Sequence, residues 1–288
     1  MERENESALN EALKPYCDDC RRQLTIPEDA YKQYDIKRGL RNADGTGVLA
    51  GVTRICNVHG YILEDSQRRP TEGRLFYRGI DIRDIIEGCT AEDRFGFEEV
   101  VWLLLFGYLP TAEQLSGFTR LLEQHRELPE GFIEDMIIKA PSPNIMNKLA
   151  RSVLALYSYD ELAEDMSLEN IVRQSIELIA RVSTIMVNAY QVKKRYYDHE
   201  SLFFHSPIDG MSFSENILST LRFDRQFTRE EAKLLDICLI LHAEHGGGNN
   251  STFACRVLSS SGTDTYAAIS AAIGGLKGPR HGGATIKV

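Results

Sequence analysis

The stretch from Ser167 to Tyr197, SLENIVRQSIELIARVSTIMVNAYQVKKRYY, constrains the fold more than any other. It contains neither proline nor glycine, and Ile171, Ile176, Ile179, Val182, Met186 and Tyr190 recur at helical spacing. At the rise of an α-helix it spans about 45 Å, a length that needs a large helical domain to clothe it. No strict heptad persists, so a coiled coil is not expected.

Helix-start signals extend this reading along the chain. Thr111-Ala-Glu-Gln114, Ser212-Phe-Ser-Glu215 and Thr228-Arg-Glu-Glu231 are capping boxes, in which a hydroxyl takes the third amide and the acid or amide side chain reaches back. PSPN, Pro141 to Asn144, breaks the chain before another helix. Glu4 to Lys14 reads as a short polar helix ended by Pro15. Two runs differ in character: GVLAGVTRICNVHGYI and RLFY are of β type and place a small β-element near residues 45–80, with helices resuming from about Asp93. LLDICLIL, Leu234 to Leu241, is apolar almost all round apart from Asp236, so burial on most sides is expected. TYAAISAAIGGL, Thr265 to Leu276, is rich in small residues that let helices approach closely. The fold class expected is all-α, with an N-terminal helical segment over 1–35 and one large domain over 36–288.

Charge narrows the partners. The formal net charge of -9 makes the chain a poor general binder of nucleic acid or anionic membrane. No run of 18 apolar residues is present, so no membrane-spanning helix is expected. The opening MERENESALNEALK is acidic and lacks an apolar stretch of signal-peptide type, and a cytoplasmic location is expected. The six cysteines at 17, 20, 56, 89, 238 and 255 are scattered, which fits reduced thiols. Cys17 and Cys20 form a lone CxxC with no second close pair, and read as free thiols rather than a zinc knuckle.

Two segments carry the chemistry: LILHAEHGGGNN, Leu239 to Asn250, and GPRHGG, Gly278 to Gly283. His242 and His245 share a helix face, but HAEH is neither HExxH nor HxxEH and no third ligand is marked, so no metal is expected. An HGGG oxyanion loop belongs with a GxSxG elbow, which is absent from this chain. A phosphate cradle needs GxxxxGK[ST] or a GxGxxG after a strand, and GGGNN is neither. Three successive glycines are a costly way simply to end a helix, whereas bare backbone suits a ligand that approaches closely. His281 is a second histidine on a glycine-flanked turn after a helix. Two such histidines suggest one shared pocket, and imidazole is the usual proton-handling group near neutral pH.

These segments resemble the citrate synthase family, whose corresponding motifs read H-x-x-H-x-x-x-N and G-P-x-H-G. FYRGIDIRDIIEG, FEEVVWLLLFGYLPT and PSPNIMNKLARSVLALYSYD look like its large-domain segments, so the resemblance runs from about residue 36 to 288. It implies that His245 and Asn249 bind oxaloacetate and that His281 is the catalytic histidine facing the thioester carbonyl of acetyl-CoA. His242 falls on a structural position. The implied activity is an acyl transfer that condenses acetyl-CoA with oxaloacetate to citrate and CoA, by a homodimer, with acetyl-CoA as substrate and no cofactor. Three alternatives stay beside it: 2-methylcitrate synthase acting on propionyl-CoA, a non-catalytic helical paralogue, or a fragment. The family's carboxylate base, third histidine and oxaloacetate-holding arginines have no counterpart within 1–288, so this chain alone is expected not to condense its substrates. Thr285 stands where the family usually has Asn. Arg256, Lys277 and Arg280 lie near the motifs in sequence and read as solvated surface charges.

Overall fold

The computed structural model describes residues 42, 48, 53–64, 67–244 and 246–283. The chain forms two compact units, 1–49 and 50–288, and all the described elements lie in the second. The helix expected at Glu4–Lys14, Cys17, Cys20 and Thr285 fall outside the described residues.

The β-element is one three-stranded antiparallel sheet: β1 (Cys56–Glu64), β2 (Gln67–Tyr77) and β3 (Ile80–Asp81). Cys56 pairs with Tyr77 and His59 with Arg74, and the register shifts between His59 and Tyr61. Arg78 and Gly79 form the β2–β3 turn with φ of 50° and 89°. Positive φ at both central positions matches the twist of a tight hairpin. The Arg78 guanidinium then reaches Leu104 O at 2.6 and 3.2 Å, satisfying the end of a neighbouring helix.

Helices resume at Ile82, not near Asp93. Asp81 ends the last strand and also caps α1 (Ile82–Ala91), accepting from the Arg83 amide at 3.0 Å. One short acidic side chain thus switches the backbone from strand to helix without a loop. There follow α2 (Phe97–Phe106), α3 (Ala112–Gln124), α4 (Ile145–Ala155), α5 (Leu168–Tyr197), α6 (Phe213–Leu221), α7 (Arg229–His242), α8 (Asn250–Ser259) and α9 (Thr265–Lys277). All three expected capping boxes form, at Thr111, Ser212 and Thr228. Asn144 of PSPN caps α4 through the Asn147 amide. A π-helical turn at Ile133–Ile138, which the sequence pattern does not announce, precedes it.

The long helix α5 is the spine. Leu178, Ile185, Ala189 and Val192 belong to a core shared with α4 and α9. Ile176 and Ala180 pack with Val101, Phe118 and Leu122, and Val187 packs with Phe213 and Ile217. Of the residues at helical spacing, Ile176 is buried, Ile179, Val182 and Met186 pack against these cores while also lining an open apolar cleft of about 500 Å³, and Tyr190 is exposed. A helix covered on several sides has no single hydrophobic stripe for the periodicity to find.

Helix α7 also departs from expectation. Leu234 is 65% exposed and Leu241 38%, while Asp236 is buried. The buried carboxylate accepts from the amides of Gly96 at 2.7 Å and Phe97 at 3.3 Å, and so caps α2 from across the fold. Gly96 permits this approach, because a Cβ there would sit 2.5 Å from Cys89 Sγ and 3.1 Å from Ile240 Cδ1. The face of α7 opposite to Asp236 and Ile240 therefore stays outward.

Asp160 ties α5 to α9. Its carboxylate accepts from Arg173 Nη2 at 2.8 Å to each oxygen, from Gln174 Nε2 at 2.9 Å, from Tyr266 Oη at 2.8 Å and from the Leu162 amide at 3.0 Å. Burial opposes the charge, but these donors outweigh it and hold the carboxyl down at about 2. Because the folded value lies below the ordinary 3.8, the contribution is full above pH 4 and is lost as pH falls towards 2. Asp160→Asn is expected to cost about 2–4 kcal/mol in urea unfolding at pH 7, with a much smaller difference from wild type near pH 2.

Candidate functional site

The two glycine-flanked segments meet where α8 begins and α9 ends. Asn249 is the N-cap of α8: Oδ1 accepts from the Thr252 amide at 2.9 Å. Its Nδ2 donates to Gly246 O at 2.7 Å and to Thr252 Oγ1 at 2.9 Å. One amide side chain thus starts the helix and closes the glycine loop behind it. Gly246 has φ of 87°, a region that suits glycine alone among residues without strain. The Glu244 carboxylate accepts the Gly246 amide at 2.6 Å.

At the other end, α9 stops at Gly278, which is extended, with φ of -60° and ψ of 140°. The Gly278 carbonyl accepts from the amides of His281 at 2.9 Å and Gly283 at 3.2 Å, folding GPRHGG into a tight turn. Side chains at Gly282 or Gly283 would collide with Leu276 and with the Lys277 carbonyl oxygen. The glycines after His281 are therefore demanded by the backbone packing of α9 against its own terminal turn.

His281 Nε2 lies 2.9 Å from Ser251 Oγ, in the first turn of α8, two residues after Asn249. Gly275 of α9 lets the helices close at this point, since a Cβ there would already touch Ser251 Cα at 3.4 Å. The Asn249 and His281 segments are thus brought onto one helix start, where the helix dipole favours an anion. Position 245 itself lies outside the described residues, so the site is bounded there by Glu244 and Gly246. His242 is a scaffold residue in this geometry: its Nδ1 is 2.7 Å from Cys238 O, one turn back in its own helix.

Arg256, Lys277 and Arg280 are exposed, as expected of surface charges. Arg256 is nonetheless placed beside the loop, its Nη1 being 3.9 Å from where a Cβ on Gly247 would lie. In a chain of net charge -9 it gives this rim a local cation.

Three residues of the site have no signal in the motif itself. Ser251 lies inside NNSTF, where a hydroxyl in a helix's first turn is commonplace. Tyr77, fully buried, places its hydroxyl 2.9 Å from Ile240 O and 3.2 Å from the Glu244 amide. Cys56 brings its thiol 4.0 Å from Glu244 O. Burial, with the Glu244 charge added, pushes that thiol up to about 11, so it serves as a neutral donor and not as a nucleophile.

Asn249→Ala is expected to lower stability by about 1 kcal/mol in urea unfolding, while Asn249→Asp keeps most of it, because a carboxylate caps as well as an amide. An alanine variant as stable as wild type would show that the cap contributes nothing.

The family model "Citrate synthase, C-terminal domain" matches residues 42–288. The citrate synthase of Haloferax volcanii is 31% identical over 259 residues, covering 88% of this chain and 60% of the relative. A 2-methylcitrate synthase of Corynebacterium glutamicum is 33% identical, covering 86% of this chain and 59% of the relative. Among solved structures, Pyrobaculum aerophilum citrate synthase superposes with a TM-score of 0.71 at 29% identity, covering 87% of this chain and 60% of that one. A citrate synthase from Thermoplasma acidophilum, in ternary complex with carboxymethyl coenzyme A and oxaloacetate, gives 0.67 at 27% identity, covering 82% and 55%. The chain spans about 60% of the length of such relatives. Matched over most of its own length in sequence and in fold, this chain belongs to the citrate synthase family.

Proposed function

We propose that the site takes part in condensing acetyl-CoA with oxaloacetate to give citrate and CoA. The observation that carries this reading is the hydrogen bond between Ser251 and His281, which joins the two glycine-flanked segments into one site. When the serine hydroxyl donates to Nε2, the imidazole proton sits on Nδ1. A neutral imidazole then offers one N–H to the thioester carbonyl oxygen as a base removes a proton from the acetyl methyl group. The enol carbon attacks the ketone carbon of oxaloacetate, the ketone oxygen becomes the citryl hydroxyl, and water cleaves the thioester to release CoA. A fixed donor at the developing enolate oxygen is the largest service a site of this kind supplies. No carboxylate of the described residues is assigned as the base. His245 and Asn249 are proposed to hold oxaloacetate, Asn249 through the loop that it closes. Acetyl-CoA is a substrate in this scheme, and no cofactor or metal enters it.

The finer assignments rest on the same family. Residues 36–288 are proposed as its large domain, in a homodimer, in the cytoplasm. The archaeal and bacterial relatives support the location, as do the free thiols of Cys56, Cys89, Cys238 and Cys255. The Corynebacterium relatives keep propionyl-CoA as a second acyl donor.

The test is calorimetric titration with oxaloacetate, then with carboxymethyl coenzyme A in its presence. Wild type is expected to bind both, the second more tightly when oxaloacetate is bound. His281→Ala should retain oxaloacetate binding and weaken the thioether by roughly tenfold or more, about 1.4 kcal/mol. Wild type that takes up no oxaloacetate would overturn the reading. Competition between acetyl-CoA and propionyl-CoA for the same site decides the acyl group.

A further inference from the structure

An α-helix continues when each amide meets the carbonyl four residues back. At the end of α7 the next such pair is the Glu244 amide with Ile240 O. That bond is replaced: the Tyr77 hydroxyl stands between them, 2.9 Å from Ile240 O as donor and 3.2 Å from the Glu244 amide as acceptor. Leu241 O and Glu244 O lie within reach of the same hydroxyl at 3.5 and 3.3 Å. A group inserted into the helical ladder opens it and turns the chain aside. The chain leaves the helix at this point, directly before position 245.

The sheet and the chain leading into it support the same loop. Val58 of β1 is 3.8 Å from where a Cβ on Gly246 would lie, and Thr53 is 3.2 Å from the corresponding point on Gly247. Cys56, the cross-strand partner of Tyr77, approaches Glu244 O. Tyr77 is wholly buried, in a core with Ile82, Ile85, Val100, Leu103 and Ile240. An unpaired hydroxyl there would be costly, so the bond to the loop is held by the whole cluster behind it.

We infer that Tyr77 is the positioning residue for the histidine loop, and that the sheet fixes where the chain departs from α7 and so the affinity for the dicarboxylate. This rests on the reading that the loop binds oxaloacetate. Burial keeps the phenol protonated, its value pushed up to about 12, so it donates across the working pH range.

Tyr77→Phe keeps the ring that fills the core and deletes only the inserted oxygen. Tyr266→Phe is the matched control, since it deletes another buried hydroxyl, the one bonded to Asp160. Two readouts are needed. Amide hydrogen exchange at 243–249 should quicken at least tenfold in Tyr77→Phe, with exchange in the middle of α5 unchanged. The dissociation constant for oxaloacetate should rise about five- to tenfold, while carboxymethyl coenzyme A at saturating oxaloacetate changes less than twofold. Tyr266→Phe should alter neither loop exchange nor oxaloacetate binding, even where it melts at a lower temperature. Loop exchange equal to wild type in Tyr77→Phe overturns the inference, as does faster exchange with unchanged oxaloacetate affinity. If wild type binds no oxaloacetate, the functional reading fails, and the exchange arm still decides whether Tyr77 holds the loop.

Discussion

The structure depends on α5 being buried on several faces at once. A helix so placed must bury polar side chains along with apolar ones, and their N–H donors find carbonyl or carboxylate partners. Asn170 donates to Leu162 O and Asp165 O, Gln174 to Asp160, and Gln191 to Leu221 O. These amides do more than avoid a penalty. They specify which loop docks at which height along a rod that would otherwise permit sliding, and Asp160 extends the arrangement to α9. The position of His281 at the far end of α9 is inherited from that docking.

Local chemistry explains what could be read from residues alone. Three capping boxes, the Asn144 cap and the extent of α5 all depend on groups within four residues of each other, so the sequence displays cause and effect together. Where the structure departs from the sequence pattern, the cause lies in partners distant along the chain. Asp236 looked like an exception within an apolar helix, and its partners at Gly96 and Phe97 stand far away in the chain. Along α5 the period marks the helix but not which neighbour each position meets, because neighbours surround it. Asp81 was hidden because one residue belongs to two elements. In the site, His281 and Asn249 were visible as residue types beside glycine, whereas Ser251 and Tyr77 acquire meaning only from what folds against them.

The electrostatics of the site follow from position more than from net charge. An acidic chain still presents a helix start and Arg256 on one rim, with the Glu244 carboxylate held on the Gly246 amide. Backbone donors of this sort do not titrate, so the attraction they give an anion is steady with pH. The buried thiol of Cys56 and phenol of Tyr77 face the same loop as neutral groups and add no charge of their own.

The bond from Tyr77 to Ile240 joins residues 163 apart in the chain. Contacts of such separation form late, because the intervening chain must already be ordered before closure is repaid. Helix α7 has the local means to wind from its capping box at Thr228, but its proper end is supplied from the other extremity of the fold. During synthesis, the sheet waits through all the helices between it and α7. The loop after α7 thus takes its shape only when the rest of the unit has assembled.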